Sequence, residues 1–248
     1  MLRILSSLTL LCLLSVPDPH ADWHSYLQKC ETKYRAARHL KVTFLERYSE
    51  NNRTVRVESG QAYFQKPGKM RWEYVQPEEN LFLVDGKFTW FYSPADRTAT
   101  RLPLKKSDDW RTPFSFLTGD PHFSRFCSEL HPAKLPGSSS SPNDAPEQDS
   151  VIVLCIPKGE TDDPHALSGD RASSQDSQTD LTRIWFEIRP NGELARVLIQ
   201  MPGSVVTEFR FKDWQVDPPL AESLFHFLPP PGVVIVDGLL PSLPSARQ

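Results

Sequence analysis

The chain has 248 residues, a formal net charge of −3, and 23 prolines against 11 glycines. A chain of this length forms one large domain or two small ones. The near-balanced charge argues against a protein that binds nucleic acid through a basic surface, and the many prolines favour turns and loops over long helices.

Residues 1–21 are predicted to be an export signal that is cleaved. Arg3 gives a short positive start, and residues 4–16 form an apolar stretch that is too short to span a membrane. Cys12 is not preceded by the small residues that a lipid-anchor signal needs. We therefore expect cleavage after Ala21 and a mature protein that is exported and soluble.

The mature chain is predicted to begin with a helix over residues 22–38, followed by strands over residues 40–48 and 55–65. Four apolar residues of the helix recur at spacings of four, three and four, and so form one stripe. They are Trp23, Leu27, Cys30 and Tyr34. A single amphipathic helix ahead of several strands must pack its stripe on their sheet.

Residues 66–94 carry the strongest strand pattern of the chain. Met70, Trp72 and Tyr74 alternate with charged residues, and this period of two is typical of a strand with one apolar face. Further on, Asp85-Gly86 lies between two apolar runs and predicts a hairpin with a two-residue turn. The paired residues would be Val84 with Lys87, Leu83 with Phe88, and Leu81 with Trp90. Both faces of this hairpin are largely apolar, which predicts core on both sides, or core on one side and a cavity on the other.

Residues 98–104 are predicted to form a further strand, and residues 112–118 a helix of one or two turns. Pro113 suits the first helical position. Phe114, Phe116 and Leu117 make this helix too apolar to lie in water. It is either buried core or a lid over an opening.

The rest of the mature chain is predicted as strands that are interrupted by two flexible polar insertions, residues 136–150 and 159–180. A C-terminal meander follows, with short closing strands near its end. Because both insertions lie between strands, we expect residues 22–237 to form a single domain. Residues 238–248 would be a frayed tail.

Three cysteines remain after removal of the signal, namely Cys30, Cys127 and Cys155. Cys127 and Cys155 each lie in an apolar, strand-like run, so an oxidising compartment permits a bridge between them if the two strands are neighbours. The alternative is that both are buried thiols. No spacing of Cys and His indicates zinc.

The sequence contains no motif that indicates catalysis. We find no nucleophile elbow, P-loop, dinucleotide fingerprint or zinc-protease motif. We therefore expect no enzyme, no metal site and no cofactor. The residues alone predict an exported antiparallel β protein with an N-terminal helix and an unusually aromatic face that could bind an apolar ligand.

The stretch 66–94 resembles the LolA family, the periplasmic carriers of outer-membrane lipoproteins in Gram-negative bacteria. The matching residues are Lys66-Pro67-Gly68, Met70-Arg71-Trp72, Pro77, Asp85-Gly86, Trp90, Tyr92, Pro94, Thr112-Pro113-Phe114, residues 225–231 and Gly232-Val233. The helix and first strand also fit. The resemblance covers most of the mature chain apart from the two insertions.

This resemblance implies a mainly β fold, an unclosed antiparallel β-barrel (half-barrel) with an N-terminal helix and a helical lid over an apolar cavity. It also implies a periplasmic, monomeric carrier that shields the acyl chains of lipoproteins. The implied partners are acylated lipoproteins, an inner-membrane exporter complex and, where present, an outer-membrane acceptor that resembles LolB. No nucleic acid and no cofactor are implied.

The resemblance also implies roles for two groups of residues. The cavity wall would be formed by Val42, Phe44, Met70, Trp72, Tyr74, Leu83, Phe88 and Trp90. The lid would be formed by Pro113, Phe114, Phe116 and Leu117, with Lys66 as its latch. The family has Arg at the Lys66 position, and Lys keeps the charge but loses the bidentate fork of Arg. The family favours Gln where this chain has Glu46.

Two other functions stay open at this stage. The same fold could carry another lipid or hydrophobe, because a fold does not fix its ligand. The apolar face could also belong to a sensor or interaction domain that binds a lipid or a peptide segment. A LolB-like acceptor would need an N-terminal lipid, and the sequence around Cys12 argues against one.

Overall fold

The structure is a computed structural model that describes residues 22–104, 114–136, 144–158 and 181–238. The predicted signal segment, the predicted insertion 159–180, Pro113 of the predicted lid and the tail beyond residue 238 lie outside the described residues. None of the helices in the described ranges is long and apolar enough to cross a membrane.

The described chain forms one sheet of twelve strands, with three short or medium helices packed against it. The strands are β1 His39–Glu50, β2 Arg53–Gln65, β3 Lys69–Gln76, β4 Asn80–Val84, β5 Phe88–Ser93, β6 Thr98–Pro103, β7 Cys127–Pro132, β8 Val151–Pro157, β9 Arg183–Ile188, β10 Leu194–Met201, β11 Val205–Val216 and β12 Val234–Asp237. The helices are α1 Trp23–Ala36, α2 Ser115–Thr118 and α3 Phe123–Phe126, and a 3-10 turn follows at Glu222–Phe225.

The order of strands in the sheet is β12-β6-β5-β4-β3-β2-β1-β11-β10-β9-β8-β7. Neighbours are antiparallel except for β12, which runs parallel to β6. Within the described residues β12 and β7 end the sheet and do not pair with each other, so the barrel is not closed. The predicted open half-barrel with an N-terminal helix is therefore confirmed.

The turn between β4 and β5 is wider than the sequence predicted. Val84 pairs with Thr89 and Leu83 with Trp90, so the predicted register is wrong by two residues. The reason is the Asp85 side chain, whose Oδ1 accepts hydrogen bonds from the backbone N–H groups of Lys87 and Phe88, each at 2.7 Å. These bonds stabilise a four-residue loop. A shift of two residues leaves every side chain on its predicted face.

Alternation along the strands divides the apolar side chains between two faces of the sheet. We call the face that carries Phe44, Trp72 and Phe209 the inner face, and the opposite face the outer face. The large inner cluster joins residues of β1–β4 and β8–β11 with all three helices. Phe114, directly before α2, contacts a ring of β3, and Phe116 of α2 contacts a ring of β9, so the sheet curves around this segment.

The helix α1 is fixed on the inner side by polar contacts as well as by its apolar stripe. Asp22 caps its start by accepting a hydrogen bond from His24 N at 3.2 Å. The buried Tyr34 hydroxyl accepts a hydrogen bond from Leu194 N at 3.0 Å. Gly192 has φ of +80°, and a Cβ there would lie 2.8 Å from the Lys29 carbonyl carbon, so the turn before β10 needs glycine to approach α1.

The outer face is covered by two chain segments. Leu81, Leu83 and Trp90 pack under the C-terminal segment through Phe225 and Phe227. Further along the sheet, Trp185 and Leu198 pack under Leu135. The C-terminal residues thus cross the outer face before they pair as β12 beside β6.

Part of the insertion 136–150, which the sequence predicts to be flexible, contacts the outer face through polar groups. We call residues 144–150 the strap. Asp144 lies 2.8 Å from Arg47 and 2.7 Å from Arg210, and Arg196 donates to the carbonyl oxygens of Asp144 and Ala145 at 3.0 Å each. Its composition predicts no apolar core, but ion pairs and hydrogen bonds hold the strap on the sheet in the absence of such a core.

A disulfide joins Cys127 to Cys155, whose strands β7 and β8 are neighbours. It ties the end of α3 to the sheet, because Cys127 is the residue that follows α3. Cys30 is a buried free thiol on α1, and burial raises its pKa above the usual range. The bridge therefore fixes α3, whereas Cys30 acts as a small apolar side chain.

Candidate functional site

The centre of the inner face is a cluster of aromatic rings around Trp72. Trp72 is fully buried. Its ring centroid lies 4.9 Å from Phe44, 5.7 Å from Phe64, 5.1 Å from Phe114, 5.3 Å from Phe209 and 6.5 Å from Phe211. Such edge-on and tilted contacts stabilise a ring cluster beyond the area it buries. The cluster gives the half-barrel a continuous apolar interior.

Gly60 on β2 makes room for this cluster. A Cβ at Gly60 would lie 1.8 Å from the Glu73 carbonyl oxygen and 3.1 Å from the Phe44 ring. The pairing of β2 with β3 also shifts between Ser59 and Gly60. A glycine with a local irregularity of the ladder bends a strand and increases its twist. The missing side chain thus lets β3 approach β2 at the inner face.

The short helix α2 places its apolar side chains into the open side of the half-barrel. Phe114, directly before α2, is fully buried and lies 5.0 Å from Phe209 between ring centroids. Phe116 lies 5.3 Å from Phe123 and 5.8 Å from Phe186. The turn before β3 contacts the end of α2 through Gly68 N, which donates to Thr118 O at 3.0 Å. Phe114 therefore fills the middle of the interior.

The structure separates the eight residues predicted as one cavity wall. Five of them belong to the buried inner cluster: Val42, Phe44, Met70, Trp72 and Tyr74. The other three, Leu83, Phe88 and Trp90, pack on the outer face. The reason is strand parity, because Phe82 and Val84 point to the inner cluster and so turn Leu83 outward. Within the predicted lid, the described residues Phe114, Phe116 and Leu117 all join the inner cluster.

Lys66, the predicted latch, contacts α1. Its Nζ donates to the carbonyl oxygens of Tyr34 at 2.6 Å and of Arg35 at 3.0 Å, which lie in the last turn of the helix. Burial is the main cause that lowers the pKa of the Lys66 ammonium below its usual value. A cation at a helix C-terminus is favourable because the carbonyl ends are negative. Lys66 thus contacts α1, and its near neighbour Gly68 contacts α2.

The link between α2 and α3 carries an ionic cluster. Arg35 donates to His122 Nε2 at 2.7 Å, and His122 Nδ1 contacts Asp120. Arg125 lies 2.5 Å from the other oxygen of Asp120. The hydrogen bond from His122, followed by the charge of Arg125, lowers the pKa of Asp120. This cluster connects the link to the C-terminal turn of α1.

Several polar groups are buried on the inner face. Tyr74 donates to Glu46 Oε2 at 2.8 Å, and Arg56 lies 3.7 Å from the other oxygen of Glu46. Within the described residues, Trp72 Nε1 and the hydroxyls of Thr89 and Thr207 have no hydrogen-bond partner. The described ranges contain no group of His, Cys, Asp or Glu residues that could hold a metal ion. The interior is thus apolar with isolated polar groups.

The site also includes residues that the sequence did not single out. Phe64, Phe209 and Phe211 complete the ring cluster around Trp72. Phe209 and Phe211 are two residues apart on β11 and therefore share one face of the strand. Only their pairing with β1 brings them beside Phe44 and Trp72, and a single sequence does not reveal that pairing.

A separate groove lies on the outer face between β3–β5 and the C-terminal segment, with a volume of about 540 Å³. Its apolar lining includes Val75, Leu81, Tyr92, Phe227 and Leu228. Leu228 is 86% exposed. This groove is on the opposite side of the sheet from Trp72.

Residues 35–125 match the family described as outer membrane lipoprotein carrier protein LolA. An outer-membrane lipoprotein carrier protein of Nitrosomonas europaea is 27% identical over 240 residues, which cover 95% of this chain and 99% of that protein. The protein of the same name from Photobacterium profundum is 24% identical, covering 88% and 92%.

Two solved structures align with low identity. An uncharacterized conserved protein of Thermus thermophilus gives a TM-score of 0.47 at 12% identity, covering 87% of this chain and 99% of that one. A LolA superfamily protein of Nitrosomonas europaea gives a TM-score of 0.41 at 13% identity, covering 82% and 97%. This chain is thus similar to the LolA family over residues 35–125, and its similarity to the two carrier proteins extends over nearly their full length.

Proposed function

We propose that the protein is a periplasmic carrier that shields the acyl chains of lipoproteins on its inner face beneath α2. In this role it takes each lipoprotein from an inner-membrane exporter and passes it to an outer-membrane acceptor. The names of the relatives support a carrier of lipoproteins. The observation that carries the proposal is the fully buried Phe114, which lies among the inner-face rings although it directly precedes a helix of only four residues.

The need for shielding follows from the size of an acyl chain. Each CH₂ group removed from water contributes about 0.8 kcal/mol, so a chain of about 15 such groups contributes on the order of 10 kcal/mol. A diacyl or triacyl lipoprotein therefore cannot cross an aqueous compartment unaided. A carrier must offer it a comparable apolar surface.

The inner face offers that surface once α2 moves. Phe114, Phe116 and Leu117 are buried against rings and aliphatic side chains, and an alkyl chain can replace such contacts without specific geometry. The exchange of one apolar partner for another changes the free energy little. Release to the next protein then needs only that the acceptor binds the chain more tightly.

Met70 gives this proposal a mutational test. It is 4% exposed on the inner face, and a thioether adapts well to variable ligands. Met70→Glu places a carboxylate among apolar groups, where an unpaired charge is strongly unfavourable. We expect this variant to lose uptake of an acylated lipoprotein. The matched control is Val57→Glu, which adds the same charge at a position that is 47% exposed.

The assay is release from the membrane. The mature protein is added to inner-membrane vesicles that carry a triacylated lipoprotein and an energised cognate exporter. A soluble one-to-one complex with the parent and with Val57→Glu, but not with Met70→Glu, supports the proposal. If Met70→Glu forms the complex as well as the parent, the inner face is not the binding site.

The same experiment distinguishes the other functions. A parent protein that forms no complex but is purified with a bound lipid is a carrier of a different hydrophobe. A parent protein that shows neither, and that binds a partner peptide instead, is an interaction domain.

A further inference from the structure

Within the described ranges, the inner face holds three buried polar groups that have no hydrogen-bond partner. These are the indole N–H of Trp72 on β3, the hydroxyl of Thr89 on β5 and the hydroxyl of Thr207 on β11. All three residues have 0% exposure. Among the described residues none of the three polar atoms has a hydrogen-bond partner. Buried polar groups in folded proteins are normally paired, because an unpaired one destabilises the fold.

The rings around Trp72 do not give its N–H group a hydrogen-bond acceptor comparable to oxygen. The nearest centroids, those of Phe44 and Phe114, lie 4.9 and 5.1 Å from the Trp72 ring, so an N–H group can at best face an aromatic ring. Such a contact is weak compared with a hydrogen bond to oxygen. A phenylalanine at residue 72 would join the same ring cluster without burying an N–H group.

The three groups share one chemical property. Each can donate a hydrogen bond, and the indole N–H can only donate. A ligand that satisfies them must therefore bring an acceptor oxygen into an apolar interior. A carboxylate is a poor candidate, because the carboxylate of the buried Glu46 lies on the same face. Glu46 pairs with Phe209, which is two residues from Thr207 on β11. A neutral carbonyl oxygen accepts hydrogen bonds and carries no negative charge, so it meets both conditions.

We propose that Trp72 recognises the ester or amide carbonyl of an acyl chain through its indole N–H, and that Thr89 and Thr207 supply further donors of the same kind. This inference rests on the proposed function, since it assumes that the acyl chain enters the inner face. The site then selects acyl esters and amides over ether-linked chains and free fatty acids. The aromatic cluster holds the hydrocarbon, and the buried donors bind the carbonyl groups.

The test compares two ligands that differ only in their carbonyl groups. One is a glycerolipid with two ester-linked chains, and the other has ether-linked chains of the same length. Both compete with a fluorescent acyl probe for the purified full chain. We expect the parent to prefer the ester by about fivefold, which is the effect of one neutral hydrogen bond of about 1 kcal/mol.

Trp72→Phe removes the donor and keeps an aromatic ring. It weakens binding of both ligands through lost contact area, but its ester-to-ether ratio should fall most of the way to one. The matched control is Trp185→Phe, a change in a tryptophan that packs on the outer face, and it should keep the ratio of the parent. Thr89→Val and Thr207→Val should each lower the ratio by a smaller factor.

A second measurement uses the unchanged protein, in case Trp72→Phe does not fold. With ¹⁵N-labelled tryptophan, the indole N–H resonance of Trp72 should move downfield when the ester is added and not when the ether is added. A ratio of one in the parent, or a preference for the ester that is as large in Trp72→Phe as in the parent, overturns the inference while the carrier function stands. A parent that binds neither ligand overturns the carrier function itself.

Discussion

Two segments cover the two faces of the same sheet, and they are held by opposite kinds of interaction. The inner cover, α2 with Phe114, is seated by aromatic and aliphatic side chains. The strap on the outer face is seated by ion pairs and hydrogen bonds from Arg47, Arg196 and Arg210. Charged hydrogen bonds require fixed partners, whereas apolar contacts accept any apolar partner. An apolar ligand can therefore replace the contacts of α2, but it cannot replace the contacts of the strap.

The largest effect is expected where the strap is fixed. Arg196, 5% exposed, lies 3.0 Å from Glu187 and 3.2 Å from Glu208, which are 0% and 7% exposed. Arg196→Met leaves these carboxylates without their buried counter-ion, which typically destabilises by about 3–5 kcal/mol. Urea unfolding measures the loss. Arg210→Gln, at a more exposed guanidinium, should lose less than about 1 kcal/mol. Equal losses would show that burial does not govern the network.

The next effect concerns α2. Removing a buried phenylalanine ring usually destabilises by about 3–5 kcal/mol. We expect Phe114→Ala to lower the global free energy of unfolding by only about 2 kcal/mol, because α2 opens locally before the sheet unfolds. Hydrogen exchange should show faster exchange at Phe116 and Leu117 while the strand amides keep their protection. A loss of the full 3–5 kcal/mol would identify α2 as fixed core and remove the contrast with the strap.

The third prediction concerns the contact of Lys66 with α1, and its expected effect is smaller. Lys66→Met deletes two hydrogen bonds to the last turn of α1, and we expect a loss of about 1 kcal/mol. Amide exchange should rise at Tyr34 and Arg35 but not in α2. Lys66→Arg is the control, since it keeps a donor. A change confined to α2 would instead support Lys66 as the latch of that helix.

The smallest effect is the response of the strap to acid. The hydrogen bond from Arg47 is the main cause that lowers the pKa of Asp144, and the hydrogen bond from Arg189 lowers the pKa of Glu147. A carboxyl with a lowered folded pKa stabilises the fold above its unfolded value, about 3.9 for Asp and 4.3 for Glu, and this is lost as the pH falls through the folded pKa. Because both groups are partly exposed, we expect less than about 1 kcal/mol.

Amide exchange at Ser150 is the readout for this loosening of the strap. It should increase below about pH 4 in the parent. Asp144→Asn should have the faster exchange already at neutral pH. Exchange in α2 should be insensitive to pH over this range, and a parallel increase there would mean that the two covers open together.

The sequence predicted the architecture well because alternation depends on local pattern alone. Met70, Trp72 and Tyr74 share a face in the structure as their spacing of two required. The sequence did not reveal which face of the β4–β5 hairpin lines the interior, because both faces of that hairpin are apolar. Leu83 and Trp90 therefore went to the outer face, where Phe225 covers them. That covering residue lies far along the chain, close to its C-terminal end.

The strap shows a different limit of sequence reading. A segment rich in Ser, Pro and charged residues lacks apolar side chains, so composition predicts flexibility. Asp144 and Glu147 have partners on β1, β11 and at the end of β9 that only the tertiary fold brings beneath them. The same holds for the indole N–H of Trp72, which has no hydrogen-bond partner among the described residues, because pairing depends on the folded interior and not on the residue alone.

The open ends of the sheet have a consequence for its capacity. In a closed barrel the number of strands and their stagger fix the diameter. Here twelve strands make eleven pairings and no ring within the described chain, so the radius of curvature is free to vary. A change of about one degree in the twist between neighbours, small against the usual value of about 20°, adds up across the sheet to a change of about ten degrees. The interior can thus widen for a bulkier occupant while every ladder hydrogen bond stays in place.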